Sequence, residues 1–350
     1  TSTRARYSSV RKSSFIAPEA LHSRLSSRHA SFAASNRDIC RISRSSQSDA
    51  LQIERCKRVN FALMASSELD EQVSACWTAL QEKNPLVMCV TNRVTPQRVA
   101  DVLLAAGASP AMVDNPTEIP QFGEISSAIY VNTGLHESQA QALLALQDMY
   151  SAPKQPQAIL VLDPVGYGAS AYRNGLIDTF VKVAAPAAIK GNAAEIAGLA
   201  GVEAVGGKGV DAGDAKSVEM VGPAVALAKR CGCVVTVTGE VDVITDGTSV
   251  ALARGSDPMM TKVTGTGCSL GALVAATMSA WPHDPFVAAL TGHAVFKAAG
   301  GAAVAVSRGP GALQGALCDE LYTLSNSPAD LMPLLQIEQL DLEAPPSWIL

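Results

Sequence analysis

From Ser67 onward, short apolar runs alternate with longer stretches of helical period, joined by brief polar links, and few architectures accept such a chain. After a helical stretch over Glu68–Gln81, the apolar run Pro85–Thr91 precedes a helical pattern over Pro96–Ala106. A short strand near Met112, a helix after Pro116 and a strand over Ser127–Asn132 come next. A helix over Glu137–Gln147 leads to a strand over Ala158–Asp163, a helix over Ile177–Val183, a strand ending at Lys190 and a helix opening at Asn192. The pattern then predicts a helix over Asp214–Arg230, a strand over Val234–Val237, and a hairpin of Val241–Thr245 and Ser249–Ala253 turned by Asp246-Gly247. Helical periods near 267–280, 285–307 and 310–325 follow. Such alternation predicts an α/β fold, a mostly parallel, doubly wound sheet with helices on both faces. One domain is expected over residues 67–335, with a peripheral tail over 336–350, and no internal repeat is visible.

Composition agrees with closely packed helices on a parallel sheet: 48% of the chain is apolar but only 5% aromatic. Apolar stretches such as Ala272–Met278 are too short to span a bilayer, so no membrane is expected. Eight cysteines lack Cys-x-x-Cys or Cys/His ligand spacing, which speaks against a zinc site and a disulfide framework and for a reducing compartment. Cys231 and Cys233 read as packed thiols. The net charge of −5 hides an asymmetry, because residues 1–66 carry 12 Lys/Arg against four acids and leave 15 basic against 28 acidic for the rest. The folded part therefore has no basic excess for nucleic acid. The Ser- and Arg-rich leader over 1–66 predicts no fold. It reads either as a transit peptide to plastid or mitochondrion, or as a segment upstream of a start at Met64, which would suit the cytoplasm.

Open α/β sheets hold ligands at the carboxyl ends of their strands. Those ends here are Thr91-Asn92, Met112 with Asp114 and Asn115 behind it, Asp163-Pro-Val-Gly-Tyr-Gly, Lys190-Gly-Asn-Ala-Ala-Glu195 and Thr236-Val-Thr238-Gly-Glu-Val-Asp242. A further segment, Lys262-Val-Thr-Gly-Thr-Gly-Cys-Ser, is a glycine-rich turn that runs into an apolar helical pattern. Backbone N–H groups freed at Gly265 and Gly267 form an anion hole at a helix start, and the helix dipole there favours thiolate at Cys268. A phosphate-handling loop beside a reactive side chain is what phosphoryl transfer needs, although Gly-x-Gly turns also close ordinary strand–helix links. There is no Walker A sequence, no Gly-x-Gly-x-x-Gly after the first strand and no Gly-x-Ser-x-Gly elbow.

Asp163-Pro-Val-Gly-Tyr-Gly, Lys190-Gly-Asn-Ala-Ala-Glu195, Thr238-Gly-Glu-Val-Asp, Val263-Thr-Gly-Thr-Gly-Cys268 and Gly309-Pro-Gly occur in the order seen in hydroxyethylthiazole kinases, with Cys89-Val-Thr-Asn92 and Gly107-Ala-Ser-Pro-Ala-Met112 near the start. The resemblance covers about Pro85 to Ser325. It implies a ribokinase-like fold, a homotrimer, and phosphorylation of the side-chain hydroxyl of 4-methyl-5-(2-hydroxyethyl)thiazole by ATP with magnesium, in thiamine salvage. By the same resemblance Met112, Asn92 and Gly265 meet the thiazole alcohol, and Lys190 and Thr238 contact ATP. Asp163 and Glu195 organise Mg2+, and Cys268 takes the place of the aspartate base of related sugar kinases. Active sites are expected across subunit interfaces, since Asn92 and Met112 lie in the other half of the sequence from Thr238 and Gly265.

Each assignment has a plainer reading beside it: core packing for Met112, a strand-ending turn for Asn92, a solvated lysine for Lys190, a packed thiol for Cys268. Asn192 with Glu195 three residues on also has capping-box spacing. The chain departs from the family where Lys190 stands for a usual arginine, keeping a cation but losing the bidentate fork. Arg93, Gln97 and Asp101 also differ from the usual residues on the substrate side. A pyrimidine or pyridoxal kinase, a nicotinamide-hydrate dehydratase of the same fold, and a thiazole-binding module without catalysis are the other readings.

Overall fold

Six strands build the parallel part of the sheet, and where the run is wholly apolar, as in Leu86–Val90, both faces are buried. The six are β1 (Leu86–Val90), β2 (Ser109–Met112), β3 (Ala128–Asn132), β4 (Ile159–Asp163), β5 (Ala188–Asn192) and β6 (Val234–Thr238), in the order β2-β1-β3-β4-β5-β6. Three antiparallel strands, β7 (Asp242–Thr245), β8 (Val250–Ala253) and β9 (Ile337–Leu340), extend it beyond β6. The chain separates into two units, residues 1–60 and 61–350. The computed structural model describes residues 68–134, 137–202, 216–255 and 257–342, all in the second unit. The leader expected over 1–66 lies outside the described residues.

Successive strand residues point to opposite faces, so the sheet divides two cores cleanly. On one face Val87, Cys89, Tyr130, Val161, Ala188 and Val234 pack under α1 (68–83), α2 (Pro96–Ala105), α8 (Thr266–Ala280), α9 (Pro285–Val306) and α10 (Pro310–Asn326). On the other, Met88, Ile129, Leu160, Ile189 and Val235 pack under α3 (Ile119–Ile125), α4 (Glu137–Ser151), α5 (Ala171–Ala184), α6 (Ala193–Ala200) and α7 (Val221–Cys231). Burying one such aliphatic side chain contributes about 1.5–3 kcal/mol. The fold class expected from the alternation, with its mostly parallel sheet covered on both sides, is the one observed.

Some boundaries move for local reasons. α5 begins at Ala171, capped by the Ser170 side chain on the Arg173 N–H, a turn and a half before the apolar period at Ile177 shows it. The helix expected from Asp214 is a 3₁₀ turn over Ser217–Met220 followed by α7, with residues 203–215 outside the described set. The tail is not merely peripheral: β9 pairs with β8, buries Leu340, and ties Arg254 to Glu338 at 2.7 Å. With one buried and two exposed positions in four, β9 carries too weak an alternation to stand out, and a charged Glu338 suits an edge strand. α9 is long and apolar enough by composition to cross a membrane, but 78% of that window is buried, against α8, α10 and β6–β8. A helix apolar on every side is here a core helix.

Candidate active site

The pleat decides which strand-end residues meet. Tyr130 and Asn132 on β3, Asp163 on β4, Lys190 on β5 and Thr238 on β6 share the face covered by α8, and the register sets Asn132 beside Asp163. Asp163 is fully buried. Its Oδ2 accepts from the Tyr130 hydroxyl at 2.9 Å, from Lys190 Nζ at 3.0 Å and from Asn132 Nδ2 at 3.4 Å. Among the described residues its Oδ1 has no hydrogen-bond partner. A buried carboxylate oxygen left unpaired is costly, so this atom is one that a bound cation would satisfy.

Lys190 is buried, which removes the solvated-lysine reading. Burial works against its charge, but Asp163, with Cys268 and Glu195, outweighs that and holds the ammonium above its ordinary pKa. A Cβ added at Gly267 would lie 3.3 Å from Lys190 Nζ, so the ammonium sits against the first turn of α8. That turn starts at Gly265, in the left-handed region at φ 86°, and no side chain caps it. Its first ladder bond is Ser269 N–H to Gly265 C=O, which leaves the N–H groups of residues 266–268 ahead of the ladder. Arg98 of α2 holds the loop from outside by donating to the Thr264 carbonyl. An uncapped helix start and a buried lysine beside it are two independent features that favour an anion.

Cys268 lies in that first turn. Asn92 Nδ2 at 3.4 Å and Asn132 Nδ2 at 3.2 Å both donate to its Sγ. The structure thus brings Asn92, Asp163, Lys190 and Cys268 into one network within a single chain. The expected thiolate is not what the surroundings favour. Burial, then the Asp163 carboxylate, push the thiol up, against the pull of Lys190 and the hydrogen bonds from Thr95 and Asn92. A helix terminus contributes about 0.3–1 kcal/mol to a nearby charge, and desolvation of a buried thiolate exceeds it.

Glu195 holds the capping box that its spacing suggested: Asn192 Oδ1 accepts from the Glu195 N–H, and Glu195 Oε2 accepts from the Asn192 N–H, both at 2.9 Å. Its Oε1 also accepts from the Gly166 N–H at 3.0 Å, fastening the loop that follows Asp163. Burial, then Asp163, raise its pKa. Thr238 ends β6 beside Asn192 and donates to the Gly191 carbonyl at 3.3 Å. Met112 stays apart from the network: it ends the edge strand β2, opposite Cys89 in register, and is 36% exposed. Cys231, the last residue of α7, and Cys233, just ahead of β6, are free thiols at the opposite end of β6 from Thr238. The hydrogen bond with Cys233 comes first in holding Cys231 down to about 6.

Tyr130 and Asn132 are site residues that sequence reasoning missed. Asn132 had a signal, since it ends a strand as Asn92 and Asp163 do. Tyr130 had none, because inside an apolar run its hydroxyl is indistinguishable from core. Burial, then Asp163, push that hydroxyl well above its ordinary pKa, so it stays a donor.

The sequence pattern of the hydroxyethylthiazole kinase family matches residues 77–327. A hydroxyethylthiazole kinase of Serratia proteamaculans is 42% identical over 261 residues, 74% of this chain and 96% of its own. One from Escherichia coli O157:H7 is 44% identical over 245 residues, 70% of this chain and 91% of its own. Among solved structures, a hydroxyethylthiazole kinase protein of Pyrococcus horikoshii superposes with a TM-score of 0.66 at 25% identity, covering 77% of this chain and 99% of that one.

Proposed function

The chain belongs to the hydroxyethylthiazole kinase family and is a kinase, and from that premise we propose that the site at the start of α8 moves the γ-phosphoryl group of ATP onto the side-chain hydroxyl of the thiazole alcohol. The observation that carries this reading is the pairing of an uncapped helix start with the buried Lys190–Asp163 pair, beside Cys268. Phosphoryl transfer has a loose transition state, so charge stabilisation and positioning do most of the catalysis. The N–H groups of residues 266–268 and the Lys190 ammonium face the charge that builds on the transferred phosphoryl oxygens. Thr238 and Gly191, at neighbouring strand ends, lie on the nucleotide side.

Among the described residues no cluster of three or more His, Cys, Asp or Glu could hold a metal on protein ligands alone. Magnesium does not need one, since it takes one or two carboxylates and fills its shell with phosphate oxygens and water. Asp163, with its unpartnered Oδ1, fits as the direct ligand, and Glu195, whose oxygens already accept two backbone N–H groups, fits as the residue that holds the Asp163–Gly166 loop. When bound, the ion would offset charge on the β- and γ-phosphate oxygens.

The alcohol oxygen bonds to the γ-phosphorus as the bond to the β,γ-bridging oxygen breaks, releasing ADP, and the hydroxyl proton leaves. Cys268 is the acceptor within reach of that position. Only the thiolate can take that proton, so Cys268 must first release its own proton to solvent, and because burial and Asp163 disfavour that form its contribution as a base is modest, as a loose transition state allows. Asn92 and Asn132 fix the sulfur by donating to it.

The assembly proposed is a homotrimer in which a neighbouring subunit completes the thiazole side. Met112 and the 77% exposed Val94 support it, because a flat ring against them has protein on one side only. Separation in sequence carries no weight here, since the fold joins Asn92 to Cys268 within one chain. The test is ADP release with the thiazole alcohol, hydroxymethylpyrimidine and pyridoxal as acceptors. Turnover with the thiazole alcohol, lost on chelating the divalent ion, is expected. Preference for pyridoxal or the pyrimidine, or no turnover at all, would reject the proposal.

A further inference from the structure

A second buried polar cluster lies beneath the turn between β6 and β7. Asp242, His293 and Lys297 are 1%, 0% and 5% exposed, all inside the protein. Asp242 Oδ2 accepts from His293 Nδ1 at 2.8 Å, and Oδ1 lies 3.0 Å from Lys297 Nζ and accepts from the Gly239 N–H at 2.9 Å. Lys297 Nζ also donates to the carbonyls of Gly239 at 2.7 Å and Glu240 at 3.1 Å. An ammonium has three donors, and all three are spent on one turn.

The hairpin itself does not require this. The neighbouring turn between β7 and β8 is closed without any cation: Asp246 Oδ1 accepts the N–H groups of Thr248 and Ser249, both at 2.7 Å, and the Thr245 hydroxyl accepts from the Gly247 N–H and donates to the Ser249 carbonyl. Burying charged groups costs several kcal/mol each before pairing returns it. The cluster beneath the other turn is therefore an expensive way to close a hairpin. What distinguishes that turn is that it begins at Thr238. It is also clamped from its other side, where Ser217 donates to the Val241 carbonyl, and a Cβ at Gly239 would come within 2.7 Å of the Ser217 Cβ.

We propose that Asp242, His293 and Lys297 are positioning residues that set the Gly239–Glu240 backbone, and with it Thr238, for the nucleotide. This rests on the placement of Thr238 on the nucleotide side. α9, which carries His293 and Lys297, is a largely buried core helix, so it ties the turn to the core. Misplacing a nucleotide contact weakens binding of that substrate and leaves the other substrate untouched.

The experiment compares Lys297→Met, the double variant Asp242→Asn/Lys297→Met, His293→Gln and Thr238→Ala for KM toward ATP and the thiazole alcohol, kcat and Tm. Lys297→Met leaves the buried Asp242 carboxylate without its cation, held only by His293 and the Gly239 N–H, and melts lower, whereas the double variant removes both charges and recovers most of the Tm. Both are expected to raise KM for ATP about ten-fold, the worth of roughly one lost hydrogen bond, with KM for the alcohol changed less than about two-fold. His293→Gln, which leaves Lys297 paired, moves in the same direction by less. Recovery of the ATP KM together with the Tm in the double variant would show a purely structural role and overturn the proposal. So would an unchanged ATP KM in all cluster variants while Thr238→Ala raises it. An unchanged ATP KM in Thr238→Ala would instead overturn the placement of Thr238, and this proposal with it.

Discussion

Cys268 receives hydrogen bonds from two asparagine amides, yet burial and Asp163 keep its thiol protonated at rest. If its deprotonated fraction takes the hydroxyl proton, Cys268→Ser should lower kcat by about 10²-fold, the low end for a general base, with both KM values little changed. Cys268→Asp places a carboxylate at the uncapped start of α8 near Lys190, which favours its charge, and should keep or raise turnover. Steady-state kinetics at saturating substrate decide the matter. An active serine variant beside a dead aspartate variant would leave Cys268 with packing alone.

Elements couple to the site through close packing. Gly271 lies inside α8, where alanine would ordinarily stabilise a helix by about 1 kcal/mol. A Cβ there would sit 2.5 Å from Cε2 of Tyr130, whose hydroxyl bonds Asp163. Overpacking of this kind costs about 1–3 kcal/mol, so Gly271→Ala is expected to lower the Tm and the activity together. A melt above wild type would refute that. The β6–β7 cluster has its own acid signature. Burial pushes Asp242 up, but the His293 hydrogen bond and the Lys297 charge outweigh it and hold its pKa below the ordinary 3.8. A depressed folded value contributes stability that is complete above the unfolded pKa and is lost as pH falls through the folded one. The Tm advantage of wild type over Asp242→Asn/Lys297→Met should therefore shrink as the pH is taken below 3.8. An advantage constant across that range would contradict the ion-pair account.

For the whole molecule, the family match begins at residue 77 and the described fold at residue 68. A protein starting at Met64 is thus expected to fold and retain full activity, and loss of soluble protein or of ADP release would show that the leader matters. Val94 and Met112, 77% and 36% exposed, lie at or just past the carboxyl ends of the neighbouring strands β1 and β2. Light scattering should report a trimer whose activity falls when dilution dissociates it; a fully active monomer would remove the shared-site proposal.

The sequence by itself determined the order of strands and helices and the residues at the strand ends, because apolar period and turn chemistry are local. It also carried Asp163, Glu195, Cys268 and the capping box at Asn192. Hydrogen-bond partners across the sheet were beyond it. Register and pleat put Asn132 beside Asp163, turned Lys190 inward, and joined Asn92 to Cys268 across 176 positions of sequence. The protonation of Cys268 was misjudged from sequence for the same reason: the helix start is local, whereas the burial and the carboxylate that outweigh it come from packing. β9 and the Asp242–His293–Lys297 cluster likewise exist only once distant segments meet, which is why only the tertiary structure decided them.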